Sequence, residues 1–130
     1  MYKDILENVE NTAALQINGM VELSHGLATE SGWWDDVDVN APFVIPAKLC
    51  LVHSEISEAM EGERKDLMDD HLPHRKMVEV ELADAIIRIM DLAGAMNLDL
   101  GGAMVEKLLY NTQRSDQKVD NRAKTNGKKF

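Results

Sequence analysis

The stretch from Lys76 to Met96, KMVEVELADAIIRIMDLAGAM, most constrains how this chain can fold. Its apolar residues do not alternate with period two. They recur with helical spacing and fill much of the circumference, so the pattern predicts a central helix with protein packed on several sides. That helix nevertheless carries Glu81 and Asp84, one turn apart.

A second stretch repeats the combination. KLCLVHSEISEAMEGERKD predicts a helix from near Pro46, where proline is tolerated in the first turn, to about Leu67. Its apolar set is Leu49, Val52, Ile56, Ala59 and Met60, and it holds Glu55 and Glu58. Two further helices complete the reading. The first runs from about Asp4 to Glu30, with Leu15, Met20, Leu23 and Leu27 near one face and Gly19 as a point of bending. The other follows an N-cap at Asp99 through GGAMVEKLLYNTQR. Between them, Ser31 to Pro42 reads as a loop holding both tryptophans, and MDDHLPHR, with Pro73, as a linker.

The expected class is therefore all-α, a four-helix bundle-like domain over residues 1–114, with residues 115–130 as a basic tail. Aromatics at 5% and the recurrence of Leu, Met, Ala, Glu and Asp agree with helices rather than a β-sandwich. One cysteine cannot staple the chain to itself, and no apolar run approaches the ~20 residues that span a bilayer. A charged N-terminus without a signal-type apolar region points to a reducing cytoplasm and no membrane partner. Net charge of -9 argues against a nucleic-acid partner. The charge is nonetheless polarised, because Arg114 to Phe130 holds six basic residues against two acids.

Acid-x-x-acid pairs place two carboxylates on one helix face, so Glu55 with Glu58, and Glu81 with Asp84, can point toward a common site. On solvated helices such pairs are ordinary. On two consecutive apolar helices they are not, because four converging carboxylates cost several kcal/mol per ion unless something neutralises them. A hard divalent cation taking oxygen ligands meets that need, and the lack of an interleaved Cys/His set argues against zinc. Lys48 lies seven residues before Glu55, close to its face, and Lys107, Asn111 and Arg114 fall at i, i+4 and i+7 on the last helix. A cationic and amide stripe opposite an acidic one suits phosphate chemistry, although Lys107 and Arg114 could equally serve a helix C-terminus.

These residues resemble the MazG-like all-α nucleoside triphosphate pyrophosphohydrolases. The family pattern is E-x-x-E, a variable spacer, E-x-x-D, and then K-x-x-x-N-x-x-R. Here it is met by Glu55 and Glu58, a spacer from 59 to 80, Glu81 and Asp84, and Lys107, Asn111 and Arg114. The resemblance covers roughly residues 15 to 115. It implies a helical bundle assembled as a dimer or tetramer, with magnesium held by the four acids and manganese able to substitute. It further implies that an activated water separates nucleoside monophosphate from pyrophosphate, one carboxylate accepting the proton. In related enzymes an aromatic-bearing first helix and following loop stack on the nucleobase, which makes Trp33, Trp34 and His25 candidates here, with sealing of the bundle end as the structural alternative.

Other residues read more plainly. His71 and His74 are expected on the surface, and Cys50, between two leucines, in the core. Asp91, seven after Asp84, is a further candidate for the acidic face, and Arg88 is expected to pair with Asp84 or Asp91. A di-iron carboxylate bundle needs two Glu-x-x-His motifs, and only Glu22 to His25 matches. A helical nucleotide-binding or assembly module without turnover is the non-enzymatic rival. Within the resemblance, hydrolases of dUTP, dCTP or phosphoribosyl-ATP are chemically close.

The nearly all-round apolar third helix needs more cover than three short neighbours give, so the chain is expected to be a homo-oligomer. Light scattering at micromolar concentration should return a dimer or tetramer, and a monomer would refute this.

Overall fold

The computed structural model describes residues 1–114 and 118–130. Helix α1 spans Tyr2–Glu30, α2 Val44–Arg64, α3 Met77–Ala95, α4 Leu100–Gln113 and the short α5 Val119–Arg122. The described residues form no strand, only an isolated antiparallel bridge between Met68 and Lys76. No helix among them is long and apolar enough to cross a membrane. The chain divides into two compact units, one of Met1–Asn18 with Asp99–Phe130 and one of Gly19–Leu98.

In the second unit α2 packs along α3. The seam on α2 is the stripe Val52, Glu55, Ala59 and Gly62, spaced three, four and three, of which the last three are buried. Opposite it, α3 buries Ala85, Leu92 and Ala93. Small side chains let the two backbones approach. A Cβ added at Gly62 would lie 2.8 Å from Met77 Cβ and 3.1 Å from Val78 N. The second half of α1 meets α3 in the same way, since a Cβ at Gly94 would fall within 2.8 Å of His25 Cγ.

Both α2 and α3 end in the same device. Asp66 and Asn97 take the left-handed conformation, and the next residue's N–H reaches back five positions, Leu67 to Gly62 O at 2.9 Å and Leu98 to Ala93 O at 3.0 Å. This reversal stops α2 at Arg64, short of the Leu67 that apolar spacing alone suggests. The connection to α3 is then organised by Asp69, whose carboxylate accepts from His71 N at 2.9 Å and Leu72 N at 2.7 Å.

Several expectations about burial are corrected. Leu15, Met20, Leu23 and Leu27 are exposed, and α1 buries Val21 and Ser24 instead. On α2 the stripe Leu49, Ile56 and Met60 is exposed, as is Cys50, which stands nine residues before buried Ala59 and so half a turn round the helix from the seam. On α3, Leu82, Ile86 and Ile89 are exposed, so this helix, met by α2 and by the second half of α1, is not enclosed on every side. Gly19 leaves α1 helical throughout.

In the first unit Asp99 caps α4, as its position predicts, by accepting from Gly102 N at 2.9 Å. Asn18 braces the same turn, donating to Asp99 Oδ1 at 2.7 Å and accepting from Gly101 N at 2.8 Å. Gly101 is required there, because a Cβ would stand 2.2 Å from Ala14 O. Of the expected tail, residues 115–117 lie outside the described residues, and Val119–Arg122 forms one helical turn.

Gly62→Ala should destabilise the protein by about 1 to 3 kcal/mol in urea melts, because overpacking at the seam outweighs the gain in helix propensity. Gly19→Ala, with nothing within 4 Å of the added carbon among the described residues, should instead stabilise by roughly 0.5 to 1 kcal/mol.

Candidate metal centre and cavity

Glu55 sits in the α2 seam with its side chain only 8% exposed, and α3 presents Glu81 and Asp84, both half-buried, one turn apart. One carboxylate oxygen from each of the three lies within 4.8 Å of the others. Glu58, one turn beyond Glu55, turns off the seam and is exposed. It stays outside that triad, yet close enough to interact with Glu55 and Glu81.

The electrostatics of the triad follow from this crowding. Glu81 is pushed up to about 7 by burial, by the hydrogen bond it shares with Glu55, and by the charges of Glu58, Glu55 and Asp84. Asp84 is raised by burial and by Glu55, against which the charge of Arg88 works; Asp69 adds to the rise and His71 opposes it. Glu55 goes the other way. Burial would raise it, but the hydrogen bond and charge of Arg88 outweigh that and hold its carboxyl below the ordinary range.

Arg88 thus crosses from α3 to α2, its Nε donating to Glu55 Oε1, rather than pairing with Asp84 or Asp91 as its spacing suggests. Asp91 is taken up elsewhere, since its Oδ1 accepts from Trp34 Nε1 at 2.8 Å and meets His25 Nδ1 at 2.9 Å. The His25 and Trp34 rings meet edge to face at 5.5 Å, and Lys48 Nζ lies 4.4 Å from the Trp34 ring centre. With one face under a cation and its N–H engaged, Trp34 is held in a cluster with Asp91, His25 and Lys48. Trp33, 71% exposed, is the tryptophan with a free ring.

Of these groups, Trp33, Lys48, Glu55, Asp84, Arg88 and Asp91 border one cavity of about 700 Å³. Its lining mixes polar groups, Ser24, Lys48, Glu55, Asp84, Arg88 and Asp91, with apolar ones, Leu23, Leu27, Trp33, Leu51 and Ile87. Leu23 and Leu27, exposed on α1, therefore line a cavity. The all-oxygen triad suits a hard cation such as magnesium, and among the described residues no histidine joins it, whereas the di-iron pattern needs histidine ligands. His71 and His74 are exposed, as expected.

Lys107, Asn111 and Arg114 belong to the other unit. Lys107 is exposed with Nζ 4.6 Å from the Tyr110 ring centre, Arg114 is the residue that ends α4, and Asn111 Oδ1 is buried without a hydrogen-bond partner among the described residues.

Two contributors were not legible in the sequence. Asp69 is buried and its charge reaches Asp84, but only the folded connection brings it there, and its sole advance signal is the turn-forming run Asp69-Asp70-His71-Leu72-Pro73. Pairing of Arg88 with Glu55 required knowing which face of α2 meets α3.

A carboxyl whose folded value lies above its ordinary 4.5 stabilises the fold below 4.5 and loses that contribution as pH rises through about 7. The melting temperature of metal-free protein should therefore fall between about pH 5 and pH 8. Glu81→Gln should flatten this slope, and a variant with the parent's slope would show that Glu81 is not its source.

No family model matches the chain, and comparison with curated proteins and with solved structures likewise gives no match.

Proposed function

We propose that the protein is a magnesium-dependent pyrophosphohydrolase of nucleoside triphosphates, with a MazG-like helical fold. The observation that carries this reading is the Glu55, Glu81 and Asp84 triad beside a cavity whose lining also holds Lys48 and Arg88 together with Trp33 and apolar side chains. An acid cluster alone suits many roles. An acid cluster, two cations and an exposed tryptophan around one cavity suit a ligand that is polyanionic at one end and flat and apolar at the other.

Glu55, Glu81 and Asp84, with Glu58 beside them, would hold magnesium, which when bound supplies charge neutralisation of phosphate oxygens and a more acidic water. Lys48 and Arg88 face the remaining phosphate charge, and Trp33 offers its ring to the base. The attacking water's oxygen bonds to the α-phosphorus, the bridge to the β-phosphate breaks, and pyrophosphate leaves with the bridging oxygen. The water's proton passes to one of the four carboxylates. Lys107, Asn111 and Arg114 enter this proposal on their sequence spacing.

Assembly as a dimer or tetramer is part of the same reading, supported by the exposed stripes Leu49, Ile56, Met60 and Leu82, Ile86, Ile89. A cytoplasmic location fits a nucleotide substrate.

A panel of ribo- and deoxyribonucleoside triphosphates with magnesium should yield pyrophosphate from at least one member, and none from any would overturn the proposal. Glu58→Gln or Glu81→Gln should lower turnover by about a hundredfold or more while the metal-free protein keeps or gains thermal stability. The melting shift on adding magnesium should shrink in both. Lys107→Ala or Arg114→Ala should cost roughly 1.5 to 3 kcal/mol in kcat/KM with the fold intact, and wild-type kinetics in both would leave that stripe a structural role.

A further inference from the structure

Among the described residues, Arg88 is the one cation that both touches the acid triad and borders the cavity. It stands four residues after Asp84 and seven after Glu81, on their face of α3, and its Nε binds the Glu55 carboxylate across the seam. The two partners differ sharply in exposure, Glu55 at 8% and Arg88 at 42%. Only the Nε edge of the guanidinium is engaged, and its two terminal amino groups have no hydrogen-bond partner among the described residues. A planar fork with its outer nitrogens free at a cavity wall is the geometry that binds phosphate in two-pronged fashion.

Burial explains the contact that is made. A carboxylate as enclosed as Glu55 cannot stay ionised without a counter-charge, and Arg88 is the nearest source. Yet the same carboxylate belongs to the triad suited to a divalent cation. A guanidinium and a divalent cation drawn to one carboxylate repel each other, so full engagement of one weakens the other.

We propose that Arg88 is an exchangeable counter-ion, neutralising Glu55 in the metal-free protein and turning to the substrate's polyphosphate once a divalent cation is held by the acids. This rests on the reading of the triad as a cation site and adds to it the identity of a phosphate ligand and a coupling. Because the guanidinium leaves Glu55 more readily when a polyanion awaits it, cation and polyanion each tighten the other's binding.

The test uses two probes by calorimetry, magnesium alone and then inorganic tripolyphosphate in excess magnesium, which reports phosphate binding without a base. Arg88→Gln removes the competitor and the fork together, so magnesium alone should bind several-fold more tightly and tripolyphosphate roughly tenfold to a hundredfold more weakly. Opposite shifts from one substitution distinguish exchange from a general loss of structure, which would weaken both. Arg88→Lys keeps the charge without the fork and guards against a Gln variant that does not fold. It should hold magnesium near the parent's affinity and still lose tripolyphosphate affinity. Unchanged or weaker magnesium binding in the Gln variant, or unchanged tripolyphosphate binding in the Lys variant, would overturn the exchange while leaving the triad a cation site. Failure of the parent protein to bind magnesium at all would overturn both.

Discussion

Burial of the Glu55 carboxylate in the seam between α2 and α3 is the constraint around which the second unit is organised. A side chain of this kind belongs at a solvated face, and the helix places it instead between Val52 and Ala59 on the packed stripe. The cost is several kcal/mol for an ion with no partner, which is more than any one apolar contact nearby returns. Arg88 supplies the partner from the opposite helix. Around that pair, Ala59, Gly62 and Ala85 keep the helices close, so the carboxylates of Glu81 and Asp84 converge on Glu55 instead of being held apart by bulky neighbours.

The convergence leaves the triad under-neutralised. Among the described residues three carboxylates share the charge of one arginine in direct contact, and burial together with that crowding raises Glu81 to about 7. A protein built only for stability gains from replacing such a cluster with apolar side chains of similar volume. Keeping it beside a cavity is intelligible when the missing positive charge arrives with a ligand, because the strain of the free state then becomes affinity in the bound one.

Elements and their types were legible because local chemistry set them. Helical periodicity located α1 to α4, the Asp99 cap placed the start of α4, and the loop with both tryptophans followed from Gly32 and Pro42. Two acid pairs on apolar helices likewise identified three members of the triad. What was not legible depended on which face of each helix meets its neighbour. Leu49, Ile56 and Met60 form as regular a stripe as the residues that pack, so spacing alone did not separate the exposed side of α2 from the side of Val52 and Ala59, nor place Cys50. The same ambiguity hid Arg88's partner. Asp69 was hidden for a different reason, since it reaches Asp84 through the path of an irregular connection.

Trp34 and Asp91 show how a wall of the cavity is held in shape. Asp91 Oδ1 takes contacts from both the indole N–H and His25 Nδ1, tying the loop after α1 and the second half of α1 to α3. Gly94, three residues on, gives His25 the room to approach, and Lys48 lies over the indole from α2. Every helix segment of this unit and the loop between them therefore send one group to a single cluster. A hydrogen-bonded ring of this kind limits rotamer freedom on one side of the cavity, while Trp33, next in sequence and exposed, keeps its own. Rigid groups that position and a free ring that can adapt are different tasks, and the two adjacent tryptophans divide them, Trp34 held by Asp91 and Lys48 and Trp33 exposed.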